Sequence, residues 1–291
     1  MKRPYVQLDV FAGRPGDGNP LAVVLDAHGL GDDDMQAIAR WTRLPETTFV
    51  FPPSSDAASY GLRIFSPRRE VPFAGHPSVG TAHAVLEAGL ARPRDGLLVQ
   101  EGIAGLLPLR VVGEGATRTI AVRTPPARVM AVAAADDPKL QAVLHGLPLG
   151  RLPPALMDGG RRWWLVEIAD ERALRAATPD WDAVSALAHA TDSMGLCVFA
   201  RSDDPVYYLA VRAWVGAPAH FEDAASGAAN ATLAAWLASR DALPGDTGFY
   251  RVSQGREVGH DAIIELLVDR EGEVWSGGRA CTVVRGEIDW P

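Results

Sequence analysis

The sequence predicts an α+β protein of two similar halves, each with one central helix. Three observations carry this. Two stretches of small residues at helical apolar spacing open on glycine, at Gly75 and Gly227, and lie 152 residues apart (227 − 75), about half of a 291-residue chain. Each is preceded by a strand-like run with an arginine, one intervening residue and an aromatic: Arg63-Ile64-Phe65 and Arg212-Ala213-Trp214. Strand-like segments outnumber helical ones and do not alternate with them as in a parallel α/β sheet.

The first half opens on the alternating strand Tyr5 to Phe11, then a turn-rich loop from Gly13 to Gly18 and a strand from Leu21 to Leu25. Asp32-Asp33-Asp34 starts a helix with acids at its favourable end, and Met35, Ile38 and Ala39 form its buried stripe. Pro45 breaks the chain before the β-rich run Thr47 to Phe51, so Glu46 stands at the mouth of a strand. A strand from Gly61 to Ser66 and a loop from Pro67 to Ala74 lead to the first central helix. Gly75 lets a ligand approach closely, Pro77 suits a first helical turn, and Ala82, Val85, Leu86 and Gly89 recur at helical spacing. Three short strands follow, Gly96 to Glu101, Leu106 to Val112 and Thr119 to Arg123.

Thr124-Pro125-Pro126 forces an extended link and marks the boundary, which gives an N-terminal half over 1–123 and a C-terminal half over 124–278. The second half reads as a helix near Asp137 to Leu144, a proline- and glycine-rich stretch from Leu147 to Gly160, a strand from Trp163 to Ile168 and a helix from Asp180 to Ala190. Strands at Gly195 to Ala200 and Val206 to Trp214 run into a loop, Val215 to Ser226, ahead of the second central helix. Four strands close the chain: Phe249 to Ser253, Ala262 to Val268, Glu273 to Trp275 and Arg279 to Arg285.

A helix that begins at Gly-His-Pro or Ser-Gly presents free N–H groups and a positive dipole end, which suits a carboxylate or enolate oxygen. Two such starts facing each other across a cleft would clamp one small anionic substrate. The alternative is two ordinary core helices with glycine starts. The net charge of −8 argues against nucleic acid or an anionic membrane as main partner. No signal peptide or apolar run of transmembrane length is read, and two cysteines without CxxC spacing, Cys197 and Cys281, suit free thiols in a reducing cytoplasm. Gly75-His76-Pro77-Ser78-Val79-Gly80 has its serine one place late for a nucleophile elbow. The Gly13–Gly18 loop lacks dinucleotide spacing, and His76 with His83 lacks a carboxylate to complete a metal site. No metal or other cofactor is expected, and His83, Trp163 and Trp164 read as packed residues.

Several segments in order, Asp9-Val10-Phe11, Gly18-Asn19-Pro20-Leu21-Ala22-Val23-Val24, Leu44-Pro45-Glu46-Thr47-Thr48-Phe49-Val50 and Phe73-Ala74-Gly75-His76-Pro77-Ser78-Val79-Gly80-Thr81-Ala82, resemble the phenazine-biosynthesis PhzF family. Phe221-Glu222-Asp223, Ser226-Gly227-Ala228-Ala229-Asn230 and Gln254-Gly255 continue the match, so the resemblance covers almost the whole chain. It implies the diaminopimelate epimerase-like fold: two pseudo-symmetric halves, each a β-barrel-like sheet around a central helix, with the active site between them. It also implies that the strand over 279–291 returns to complete the first half. A cofactor-free isomerase, usually a homodimer, is the activity implied, shifting a proton on a small carboxylate-bearing metabolite.

By the same resemblance Glu46 is the catalytic acid/base, with His76 and Asp223 beside it. Gly75, Pro77, Ser226, Gly227 and Ala228 would bind substrate. Departures fall at Ala228 for a serine, Ala224 for a proline, Arg43 and Pro45 for an asparagine and a serine, and Gly259-His260 for Gly-Arg. They keep the glutamate, change its surroundings and leave the substrate open. A carboxylate in a water-poor cleft has its pKa raised and can take and return a proton near neutrality. Each residue also has a plainer role: an exposed strand-end glutamate, a helix-start histidine satisfying backbone groups, and an aspartate capping the second central helix. An epimerase or lyase on a related amino or hydroxy acid, and a non-catalytic binding protein of the same fold, are the competing functions. The helix starts carry His76 and Ala228 and no cysteine, which disfavours a two-thiol racemase.

Overall fold

The computed structural model describes residues 1–134 and 136–290. The N-terminal elements are β1 (Lys2–Val10), β2 (Asn19–Val24), α1 (Asp32–Thr42), β3 (Glu46–Phe51), β4 (Tyr60–Phe65), β5 (Glu70–Val71), α2 (Gly75–Glu87), β6 (Leu97–Gly102), β7 (Gly105–Val112) and β8 (Thr119–Arg123). Then come β9 (Arg128–Val132), α3 (Pro138–Leu144), β10 (Ala155–Asp158), β11 (Arg162–Glu167), α4 (Glu171–Ala176), α5 (Trp181–Thr191), β12 (Gly195–Arg201) and β13 (Leu209–Val215). The chain closes with β14 (Phe221–Asp223), α6 (Gly227–Ser239), β15 (Phe249–Gln254), β16 (Ala262–Val268), β17 (Val274–Gly278) and β18 (Ala280–Asp289). Strands dominate and the helices are few, so the class is α+β. No described helix is long and apolar enough to cross a membrane.

The chain divides into one unit of Met1–Arg123 with Gly277–Pro291, and another of Thr124–Ser276. In the first, β18 runs antiparallel along the whole of β1, from Lys2 opposite Asp289 to Val10 opposite Ala280. Helix α2 packs against β1, β2, β3, β8 and β18. Every residue from Gly75 to Val85 is buried, which explains the small side chains: a helix enclosed by strands has no solvent face to make polar. At Gly80 a Cβ would stand 2.6 Å from Leu21 Cδ2 and 2.7 Å from Val10 Cγ2, so only glycine lets helix and strands approach this closely. Helix α1 lies outside, with Met35, Ile38 and Ala39 buried among Tyr5, Val24, Phe49 and Phe65.

The second unit has the same ladder. In the first, β2 pairs parallel to β3, β3 antiparallel to β4, β4 antiparallel to β5 and parallel to β6, and β6 antiparallel to β7. In the second, β11, β12, β13, β14, β15 and β16 repeat that series of senses in the same order. Helices α2 and α6 are each 13 residues long and start 152 residues apart (227 − 75). Helix α6 packs against β10, β11, β12 and β16 and is buried from Asn230 to Ala234.

The second unit also departs from the sequence reading. Strand β9 and helix α4 replace expected irregular chain, and β10 sits inside the proline- and glycine-rich stretch, beginning directly after Pro153-Pro154. The three-residue β14 replaces loop, and β5 does the same in the first unit. Both are too short to show periodicity and exist through pairing with β13 and β4. Strand β13 begins at Leu209 and not Val206, because Asp204 accepts a hydrogen bond from the Val206 N–H and turns the chain there.

Candidate active site

In the first unit the structure brings Glu46 and His76 together. Arg43 takes left-handed angles (φ 56°) at the end of α1, so the chain reverses before Pro45 and enters β3 at Glu46. Ala74 is extended and Gly75 opens α2, which makes His76 the second helical residue and Pro77 the third. His76 Nε2 lies 3.5 Å from Glu46 Oε2, with the two side chains 9% and 14% exposed. Strand and helix are locked just behind them: Thr81 Oγ1 donates to Thr48 Oγ1 at 2.8 Å, and Thr48 Oγ1 donates to the Ala22 carbonyl. The Thr42 and Thr47 hydroxyls, 2.8 Å apart, tie the start of β3 to α1.

Burial pulls the His76 pKa down to about 3, so the ring is neutral near pH 7. Its Nε2 is buried and makes no hydrogen bond among the described residues. A neutral imidazole beside a carboxylate can accept or donate a hydrogen bond and does not hold the carboxylate as a fixed ion pair. The N–H groups of Gly75 and His76 belong to the first turn and have no intrahelical acceptor, and Pro77 has no N–H to satisfy.

In the second unit Asp223, Ser226, Gly227 and Ala228 come together. Asp223 ends β14 opposite Ala213. Its Oδ1 accepts from the Ala225 N–H at 3.2 Å, and the Ser226 hydroxyl donates to the carboxylate. Burial raises the Asp223 pKa against those two hydrogen bonds and the Arg161 charge, with the neighbouring Glu222 pushing the same way as burial. The N-cap of α6 is Ser226, whose Oγ accepts from the Ala229 N–H, so Asp223 is not the cap. Gly227 and Ala228 are the first two helical residues, with N–H groups beyond reach of any intrahelical acceptor.

The arginine of each Arg-x-aromatic run has a role that sequence reasoning missed. Arg63 grips Glu70 of β5 with two bonds, Nε–Oε1 2.6 Å and Nη2–Oε2 2.7 Å. Arg212 grips Glu222 of β14 the same way, at 2.9 Å and 2.8 Å. Each glutamate faces the aromatic of its run, Phe65 or Trp214, and each guanidinium lies over that ring, 5.2 Å and 5.3 Å from the centroid. The signal was available: Glu222 follows Glu70 by the same 152 residues (222 − 70) that separate the helix starts. A bidentate arginine thus fixes the short strand that leads into each helix start.

Equivalent ladder positions carry different chemistry. Glu46 corresponds to Gly195, His76 to Ala228, and Asp223 to Val71. The Glu46–His76 pair belongs to one unit, and Asp223 with its Ala225 and Ser226 donors to the other. Cys197 is fully buried in β12, where burial pushes its thiol up to about 12, and Cys281 lies in β18 with a raised pKa, so neither is a ready thiolate. Among the described residues no three His, Cys, Asp or Glu side chains gather to hold a metal ion.

The chain is 32% identical over 301 residues to "Antisense-enhancing sequence 1" of Schizosaccharomyces pombe, covering 97% of each chain. It is 31% identical over 293 residues to the trans-2,3-dihydro-3-hydroxyanthranilate isomerase of Pseudomonas chlororaphis, covering 98% of each. The crystal structure of a Bacillus anthracis phenazine biosynthesis protein of the PhzF family superposes with a TM-score of 0.84 at 24% identity, over 100% of both chains, and shows the same fold. By class, then, the protein is an isomerase. Residues 8–286 match the family model described as phenazine biosynthesis-like protein, and the chain belongs to that family.

Proposed function

We propose that the protein is a cofactor-independent isomerase that moves a proton between carbons of a small carboxylate-bearing metabolite, with Glu46 as the proton carrier. The observation that carries the reading is the Glu46–His76 pair, nearly buried at a helix start, with the histidine neutral. Glu46 removes a proton from a carbon next to the substrate's unsaturated system. The electron pair moves into an enolate-like system, whose charge is met by N–H groups of a helix start. The protonated Glu46 then delivers the proton to a second carbon, the double bond shifts, and the carboxylate is regenerated. His76 hydrogen-bonds the substrate or the proton in transit. Asp223, with Ser226, is assigned to a polar group of the substrate, and Gly75, Pro77, Gly227 and Ala228 are assigned to substrate binding.

A two-base epimerase would need a second acid–base group at the repeated position, and Gly195 and Ala228 stand where Glu46 and His76 would recur. That asymmetry favours one carrier serving both carbons. The named activity of the Pseudomonas relatives makes trans-2,3-dihydro-3-hydroxyanthranilate the first substrate to try, and Ala228 for serine favours a different ring substituent. The same reading takes the protein as a cytoplasmic homodimer acting on a small molecule. Incubation of candidate acids in deuterated water tests the activity. A shifted double bond supports the isomerase, whether the migrating proton is retained or deuterium is taken up from solvent. Exchange with inversion and no shift means an epimerase, and neither shift nor exchange with any candidate that binds means a binding protein.

A further inference from the structure

We propose that Gln254 is a positioning residue: it sets the orientation of Asp223 and of the open N–H groups at the start of α6. The proposal rests on the reading that Asp223 holds substrate. Gln254 is the last residue of β15, fully buried, and pairs in parallel with Val211 of β13. Its amide is used at both ends. Nε2 donates to the Asp223 carbonyl at 2.8 Å. Oε1 accepts from the Ser226 N–H at 3.2 Å and from Asn230 Nδ2 at 2.8 Å. Asn230 Nδ2 also donates to the Ser226 carbonyl, at 2.9 Å. One side chain therefore fixes the peptide groups on either side of the Asp223-to-Ser226 turn and the first turn of the helix.

The set of partners fixes which end of the amide is oxygen, since two donors face one end and a carbonyl faces the other. Glutamate at this position would place an acceptor against the Asp223 carbonyl, and an apolar side chain would remove the Gln254 bonds to that carbonyl and to the Ser226 N–H. The next residue strengthens the placement. Gly255 has φ +99°, and a Cβ there would lie 2.4 Å from the Ala224 carbonyl, so backbone packs on backbone at this corner. Only the second unit has the device. Continuing the β4–β6 register, the position equivalent to Gln254 is Gly102, also 152 residues away (254 − 102). The unit that carries Asp223 is the one with the glutamine.

The test uses the full-length protein with aspartate labelled at the carboxyl carbon, and follows the Asp223 resonance, assigned with Asp223→Asn, through a pH titration. Gln254→Met and Gln254→Asn are compared with wild type, since neither adds a charge near Asp223. The asparagine variant keeps an amide but draws it back by one methylene from the Asp223 carbonyl, so it carries the test alone if the methionine variant does not fold. The expected result is an Asp223 titration moved by at least about half a pH unit in a folded variant. With trans-2,3-dihydro-3-hydroxyanthranilate, KM should rise about 10-fold with kcat changed about 2-fold or less. An Asp223 titration identical to wild type in a folded variant overturns the proposal. Absence of turnover in wild type would count against the proposed function alone, because the titration still reads the Gln254–Asp223 coupling.

Discussion

Replacing His76 by glutamine removes a buried group that must stay neutral, and the consequence is a specific pH dependence of stability. The ring has an ordinary pKa of 6.5 when unfolded and about 3 in the fold. A depressed folded pKa means that the unfolded state binds the proton more readily. Stability is therefore fully present above pH 6.5 and is lost as pH falls from 6.5 toward 3. Each pH unit in that window is worth up to about 1.4 kcal/mol, so between pH 7 and pH 5 the loss assigned to His76 is about 2 kcal/mol. The Glu46 carboxylate at 3.5 Å pulls the other way, which makes this the upper end. Urea unfolding of wild type and His76→Gln at pH 7, 6 and 5 isolates the term, because every other titrating group is common to both. The stability difference should swing by about 1–2 kcal/mol against wild type on going to pH 5. A difference that stays constant across that range, or one that moves in favour of wild type, would refute the buried neutral histidine.

Two further outcomes follow from burial. The Arg212–Glu222 side chains are each 4% exposed, while Arg63 and Glu70 are 29% and 22% exposed. Arg212→Met should thus cost about 3–5 kcal/mol by leaving Glu222 buried and unpaired, and Arg63→Met about 1 kcal/mol, both read by denaturant unfolding. Adding Glu222→Leu to Arg212→Met should recover only part, because Arg212 also donates to the Leu174 and Ala177 carbonyls; full recovery would contradict those contacts. The variant carrying Cys197→Ala and Cys281→Ser should keep most of the turnover, since neither thiol is poised to ionise; its loss in a folded protein would restore a thiol mechanism.

Some of this molecule is legible in its sequence because the same physics recurs at nearly the same interval. The glycines that open α2 and α6 lie 152 residues apart (227 − 75) and the arginines of β4 and β13 lie 149 apart (212 − 63), and together they announce a duplicated unit before any coordinate is known. Enclosure by strands leaves a composition signature, small residues on every face, which is why both central helices stand out. Strands β5 and β14 left no such trace, since two or three residues cannot display alternation and their existence depends on a neighbour. Helix α4, six residues long, depends likewise on its Asp170 cap, which accepts from the Ala173 N–H. Glu46 and His76 were named from motif likeness; their 3.5 Å approach depends on the pairing of β2, β3 and β4 around α2, which no local pattern encodes. Gln254 was visible only as part of a Gln-Gly pair, because its work is done through backbone groups some thirty residues earlier in the chain.

We propose that one carboxylate, Glu46, carries the proton. The measurement is the rate at which the double bond shifts in trans-2,3-dihydro-3-hydroxyanthranilate, or in whichever related acid the wild type turns over, compared between wild type and Glu46→Gln. Glutamine keeps the size and the hydrogen bonding but cannot cycle a proton. The variant should be folded, bind the acid nearly as tightly as wild type, and isomerise it more slowly by about 10²–10⁴-fold, the usual worth of a positioned acid–base group. A folded Glu46→Gln that isomerises the acid as fast as wild type would overturn the assignment and pass the role to His76 or Asp223.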